Sequence, residues 1–259
     1  MHAKKLAAKI VISCVLLSWQ LVAQAQDPVI AIIIDDLGNK SSDEQVINLP
    51  GAVACAFLPH TPHVKRLAKL AHANNKEVLL HAPMQSMHDN HKLGPGRLML
   101  DMNEAEFIKT LQEDLASVPH VQGVNNHMGS LLTRHPGHML WLMQEINRHG
   151  DLFFVDSRTT AHSVARMVAN ENRVPSLTRD VFLDAEAGEA FVEKQFDHLL
   201  KIARMHGSAL AIAHPYPDTL RVLQKRLKQL DAENIKLVPV STLLKRRKGS
   251  DIWQASLSH

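Results

Sequence analysis

The chain has 259 residues, 45% of them hydrophobic, enough for one large α/β domain with a full core. Its 29 Lys and Arg face 26 Asp and Glu, but Lys4, Lys5 and Lys9 fall in a first segment, residues 1–25, that holds no acid. Without that segment the charges balance, so the pI of 8.9 does not point to a nucleic-acid partner.

Residues 1–25 read as a secretory leader of bacterial type, with a positive start, the apolar stretch Ile10–Val22 and the small-x-small site Ala23-Gln24-Ala25. Cleavage after Ala25 would leave a periplasmic or secreted protein with no membrane anchor, made of one domain over 26–244 and a polar basic tail over 245–259. Cys14 leaves with the leader. Cys55 then stands alone in the apolar run Val53–Leu58, which excludes an intrachain disulfide and reads as core.

Beyond the leader, short apolar runs alternate with amphipathic stretches. Val29–Ile34 is apolar on both faces, as a central parallel strand should be. Val53–Leu58 is a second strand. Thr61-Pro62 opens a helix that Asn74-Asn75 closes, and Glu77–Leu80 follows as a strand. Residues 82–100 form a long loop. Asn103 caps a helix to Ser117, followed by strand Val121–Val124, helix Pro136–Arg148 and strand Leu152–Val155. Helix Ser163–Asn170, strand Val181–Leu183, helix Glu186–Met205, strand Ala209–Ala213, helix Asp218–Leu230 and strand Leu237–Val240 complete the order. Seven or eight β/α units without a glycine-rich dinucleotide fingerprint favour a barrel over an open sheet.

Several of these runs stop at a side chain with chemistry. Asp35-Asp36 follows the first strand, and adjacent strand residues are expected to point to opposite sides, one carboxylate binding a cation while the other acts as a base. His81 ends the third run and His127 lies in Gly123-Val124-Asn125-Asn126-His127-Met128-Gly129, both candidate metal ligands. Asn125 and Asn126 could donate to an oxyanion or orient ligands. Asp156 could hold a catalytic histidine in its tautomer or bond a sugar hydroxyl. Arg158 either pairs with Asp35 or belongs to a structural ion pair. His214, followed by Pro215, is placed as a general acid. Asp and His on a rigid rim are the raw material of a metal-assisted hydrolase.

The motifs Ile-Ile-Ile-Asp-Asp-Leu-Gly, His-Ala-Pro-Met, Gly-Val-Asn-Asn-His-Met-Gly-Ser, Val-Asp-Ser-Arg-Thr-Thr, Arg-Asp-Val-Phe-Leu-Asp and Ala-His-Pro, in that order, resemble the divergent polysaccharide deacetylase family. The resemblance spans Val29 to Leu244. It implies an α/β fold, a distorted (β/α) barrel with about seven strands, a divalent metal (commonly zinc) and a glycan substrate. It makes Asp35 the base, Asp36 a ligand and His214 the acid. The wider family draws two ligands from one His-x-x-x-His motif. Here Gln85 stands fourth after His81, and His127 is expected to fill the missing place. The implied activity is removal of acetyl groups from an N-acetylated envelope glycan. The alternative is a non-catalytic envelope factor that binds a glycan or a protein partner.

Overall fold

A computed structural model describes residues 27–257; the expected leader lies outside them. Among the described residues there are nine strands, β1 (Val29–Leu37), β2 (Ala54–Phe57), β3 (Val78–Met84), β4 (Val121–Met128), β5 (Phe153–Asp156), β6 (Ser176–Thr178), β7 (Val181–Phe182), β8 (Ser208–Ala213) and β9 (Lys236–Leu237). Every pairing is parallel, in the order β6-β5-β4-β3-β2-β1-β8-β7. β9 pairs with the first two residues of β1, and β2 pairs with β1 from Ile33 onward. The two ends of the sheet, β6 and β7, are separated in the chain only by Arg179 and Asp180. The sheet is therefore rolled into the expected distorted barrel, with a seam instead of a ladder between its first and last strands.

Helices α1 (Glu44–Ile47), α2 (Val64–Ala73), α3 (Glu104–Ser117), α4 (Pro136–His149), α5 (Ala165–Glu171), α6 (Glu189–His206), α7 (Pro217–Arg226) and α8 (Val240–Leu257) complete the chain. Strand periodicity sorts the core into two clusters. Ile30, Ile32 and Ile34 of β1 pack outward against helix residues such as Leu67, Phe107, Leu142 and Phe196. Val29, Ala31 and Ile33 point the other way and meet Ala54, Ala56, Leu79, Val155, Leu210 and Ile212 inside the barrel. Small residues keep that interior narrow. Gly123 belongs to this economy, since a Cβ there would sit 2.4 Å from the Phe153 ring.

Three features differ from the sequence reading. The short strand β6 and the turn of helix α1 carry too few residues for a visible period. The apolar run Leu237–Val240 is a strand only at its start, because Pro239 cannot extend a ladder and Val240 opens α8. The basic run Lys245–Lys248 sits inside α8 and not in a loose tail. Arg247 donates to Ser208 Oγ and to Asp180, tying α8 to β8 and to the seam.

Val240 and Leu243 of α8 join the interior cluster and stopper the barrel at the end where the strands begin. The buried Glu77 carboxylate fixes that stopper by accepting the N–H groups of Val240 (2.5 Å) and Ser241 (3.1 Å) at the helix N-terminus. Glu77→Ala leaves these donors without a partner and should cost about 2 kcal/mol. The check is a lowered urea midpoint, with circular dichroism confirming that the fold is kept.

Candidate metal centre and catalytic groups

The inward parity that places Ile33, Leu79 and Ile212 in the barrel continues to the strand C-termini, where it delivers Asp35, His81, Asn125, His127 and His214. β3 and β4 run on as strands past the ends expected for them. This puts His81 opposite Asn125, and Pro83 opposite His127, in one ladder.

Asp36 should face away from Asp35 by alternation, but it does not. The β1–β2 register slips by one residue between Ile34 and Leu37, and Asp36 takes a left-handed backbone, φ 61°. That bulge turns the second carboxylate toward the same histidine as the first. His81 Nε2 lies 3.6 Å from Asp35 Oδ2 and 3.3 Å from Asp36 Oδ1.

Asp36 Oδ1, His81 Nε2 and His127 Nδ1 form a triangle with edges of 2.9 Å (Asp36–His127), 3.2 Å (His127–His81) and 3.3 Å (His81–Asp36). Donor atoms about 2.1 Å from a cation at tetrahedral angles stand about 3.4 Å apart. Asp36 Oδ1 is buried without a well-aligned hydrogen bond. An orphaned carboxylate oxygen facing two imidazole nitrogens fits a divalent cation, and these three residues could hold one.

The groups around the triangle fix its protonation. Asn125 Oδ1 accepts from His81 Nδ1 (3.0 Å), which leaves the Nε2 lone pair for a ligand role. Asn125 Nδ2 donates to Asp35 Oδ1 (2.8 Å). Burial works against the Asp36 carboxylate, but the His127 and His81 imidazoles hold it well below the usual range. Burial raises the Asp35 pKa, opposed by His81, His214 and Asn125. Burial pulls His214 down, but the hydrogen bond to Asp184 and the charges of Asp36 and Asp35 outweigh it and push the imidazole up to about 9.

His214 is held at both ends. Its Nδ1 lies 3.1 Å from Asp184 Oδ1, and its backbone N–H donates to Asp184 Oδ2, which also accepts from Thr219 Oγ1. Its Nε2 faces Asp36 Oδ2 at 3.7 Å. The sequence signal for Asp184 was its position closing the motif Arg-Asp-Val-Phe-Leu-Asp, three residues after β7 begins.

The expected roles of Asp156, Asn126, Asn125 and Arg158 fare differently. Asp156 does not orient a catalytic histidine. It has outward parity, and its oxygens accept from Arg158 N (2.8 Å) and Ser163 Oγ (2.7 Å). Asn126, also of outward parity, donates to Met128 O and accepts from Ser157 N, so its side chain braces the rim while the residue lines the cavity beside His127. Asn125 is wholly buried and follows the ligand-orienting alternative: its amide meets His81, Asp35 and Ser157, which leaves no donor for an oxyanion. Arg158 makes no ion pair with Asp35; it lines the cavity of about 340 Å³ that also contains Asp35, His127, Arg179 and His214. Gln85 is no ligand either, its side-chain oxygen accepting from Leu100 N.

Residues 32–244 match the model of the family described as divergent polysaccharide deacetylase. The chain is 38% identical over 216 residues to the uncharacterized protein YibQ of Escherichia coli K12, covering 83% of this chain and 67% of that one. The crystal structure of the uncharacterized protein ATU2773 from Agrobacterium tumefaciens superposes with a TM-score of 0.80 at 24% identity, covering 84% of this chain and 89% of the other. Peptidoglycan deacetylase PdaC from Bacillus subtilis shares the fold with a TM-score of 0.52 at 12% identity, over 90% and 98% of the two chains.

Asn125→Ala removes the acceptor that fixes the His81 tautomer while touching no cation itself. Zinc affinity, measured by competition with a chelator, should fall about 10- to 100-fold. Unchanged affinity would show that His81 is oriented by other contacts.

Proposed function

We propose, for a chain that belongs to the divergent polysaccharide deacetylase family, that it is a metal-dependent hydrolase removing acetyl groups from an N-acetylated glycan of the bacterial envelope. The observation that carries this reading is the donor triangle of Asp36, His81 and His127, set between a buried carboxylate, Asp35, and an imidazole, His214. Bound there, a divalent cation, zinc foremost, supplies Lewis acidity to the amide carbonyl and lowers the pKa of water.

The chain's own groups do the rest. Asp35, with its proton affinity raised by burial and one oxygen held by Asn125, takes the proton of the attacking water. His214, protonated and fixed by Asp184, donates its Nε2 proton to the departing nitrogen. A C–O bond forms, the C–N bond breaks, and acetate and a free amino sugar leave. A groove of about 1080 Å³ begins at Asp36, passes the exposed Tyr216 and continues along Leu220 toward Lys228, roomy enough for more than one sugar ring.

The leader expected over residues 1–25 places this activity in the periplasm or outside the cell. Among the described residues no helix is long and apolar enough to cross a membrane. The broken His-x-x-x-His pattern was the main argument for a non-catalytic glycan- or protein-binding factor. His127, whose ring closes the donor triangle from β4, weakens that argument.

Purified protein supplied with zinc or cobalt should release acetate from N-acetylated glycan oligomers. Asp35→Asn should keep stoichiometric metal and lose about 10²- to 10⁴-fold in kcat, as expected for a general base. Asp36→Ala should lose the metal itself, read by elemental analysis. Protein with stoichiometric metal that releases no acetate would remove the enzymatic reading and favour the binding factor.

A further inference from the structure

Beside the catalytic cavity lies a second one of about 330 Å³, and the two share Arg158 and Arg179. Its other walls include Arg166, Thr160, Ser163 and Thr178, so three arginines and two threonines whose hydroxyls are not given to a carboxylate border one small space. Two carboxylates, Asp156 and Asp180, also line it, so three positive charges face two negative ones. Asp156 spends its oxygens on Arg158 N and Ser163 Oγ. Asp180 accepts from Leu210 N and pairs with Arg247.

The arginines lack such partners. Arg179 donates Nε to Ser157 O (2.7 Å) and Nη2 to Arg158 O (3.1 Å), and its guanidinium lies 4.6 Å over the Phe182 ring. Neutral groups thus hold it in place; Asp35, Asp156 and Asp180 act on its charge from a distance, but none makes an ion pair with it. Arg158 and Arg166 make no side-chain hydrogen bond or ion pair among the described residues. Arg158 also holds a left-handed backbone, φ 50°, a cost the chain bears to aim this residue at the rim.

We propose that this pocket is an anion subsite. The substrate then carries a carboxylate or phosphate on or next to the sugar whose acetamido group is cleaved. The inference rests on the deacetylase reading and narrows it from N-acetylated glycans in general to acidic ones. Planar guanidinium forks with free N–H groups bind carboxylate and phosphate oxygens bidentately, which a neutral sugar cannot match.

The test compares three N-acetylhexosamine oligomers of equal length, one neutral, one bearing 3-O-lactyl carboxylates and one bearing 6-phosphates, with zinc-loaded protein. At least one anionic oligomer should be cleaved with kcat/KM about tenfold or more above the neutral one, and the better of the two identifies the anion. Arg166→Gln should cut that preference about tenfold, through KM and not kcat. Equal rates on all three, or an equal loss on all three in the variant, would overturn the subsite. If no oligomer loses acetate, the deacetylase reading fails by itself. Calorimetry with inorganic phosphate then decides the pocket: binding that Arg166→Gln weakens about tenfold supports it, and binding the variant does not change, or no binding at all, refutes it.

Discussion

One carboxylate oxygen and two imidazole nitrogens facing one another within 3.3 Å is the constraint from which the rest of this molecule can be understood. Lone pairs at that distance repel unless a ring proton or a cation stands among them, and in a buried setting the repulsion is weakly screened. Such an arrangement has to be imposed by elements stiffer than the side chains they carry. Three parallel strands, β1, β3 and β4, impose it, each held by ladders on its neighbours and by the helices packed outside.

The imposition has a backbone cost, paid at the rim. Asp36, Met128 and Arg158 all hold φ between 50° and 61°, in the left-handed region that side chains rarely occupy. All three lie at or just beyond the ends of β1, β4 and β5. Each is fixed by nearby partners: the bulge in β1, the bond from Asn126 Nδ2 to Met128 O, and Asp156 accepting from Arg158 N. The bracing residues are polar and buried, so they look like functional groups in the sequence while serving as scaffold.

That explains what was legible and what was not. Apolar runs that stop abruptly at Asp35, His81, His127 or His214 mark the C-terminal rim, because a strand buried on both faces has no reason to end in a charged or imidazole group otherwise. The barrel followed from the number of β/α units. A run's end does not say which way its last side chain points. Parity does, and it would have sorted Asp156 and Asn126 outward from Val155 and Asn125 once one inward residue was known. The bulge at Asp36 breaks parity in the other direction, and no local sequence signal gives its φ. Asp184 was visible only as the acid that follows the expected strand Val181–Leu183; β7 has two residues, too few for parity to say that this acid turns toward His214.

The seam between β6 and β7 gives the barrel a property that a fully laddered one lacks. There the chain itself crosses from β6 to β7 through Arg179 and Asp180, whose backbone N–H groups donate to Asp156 O and Leu210 O, while the Arg179 side chain reaches two carbonyls and Asp180 accepts from Leu210, with no run of strand-to-strand amide bonds between β6 and β7. Side chains rotate and lengthen their contacts far more readily than a ladder stretches. The barrel accordingly has its thinnest main-chain bonding along one line. That line borders the wall beside the base, while the donor triangle stands on the laddered strands β1, β3 and β4.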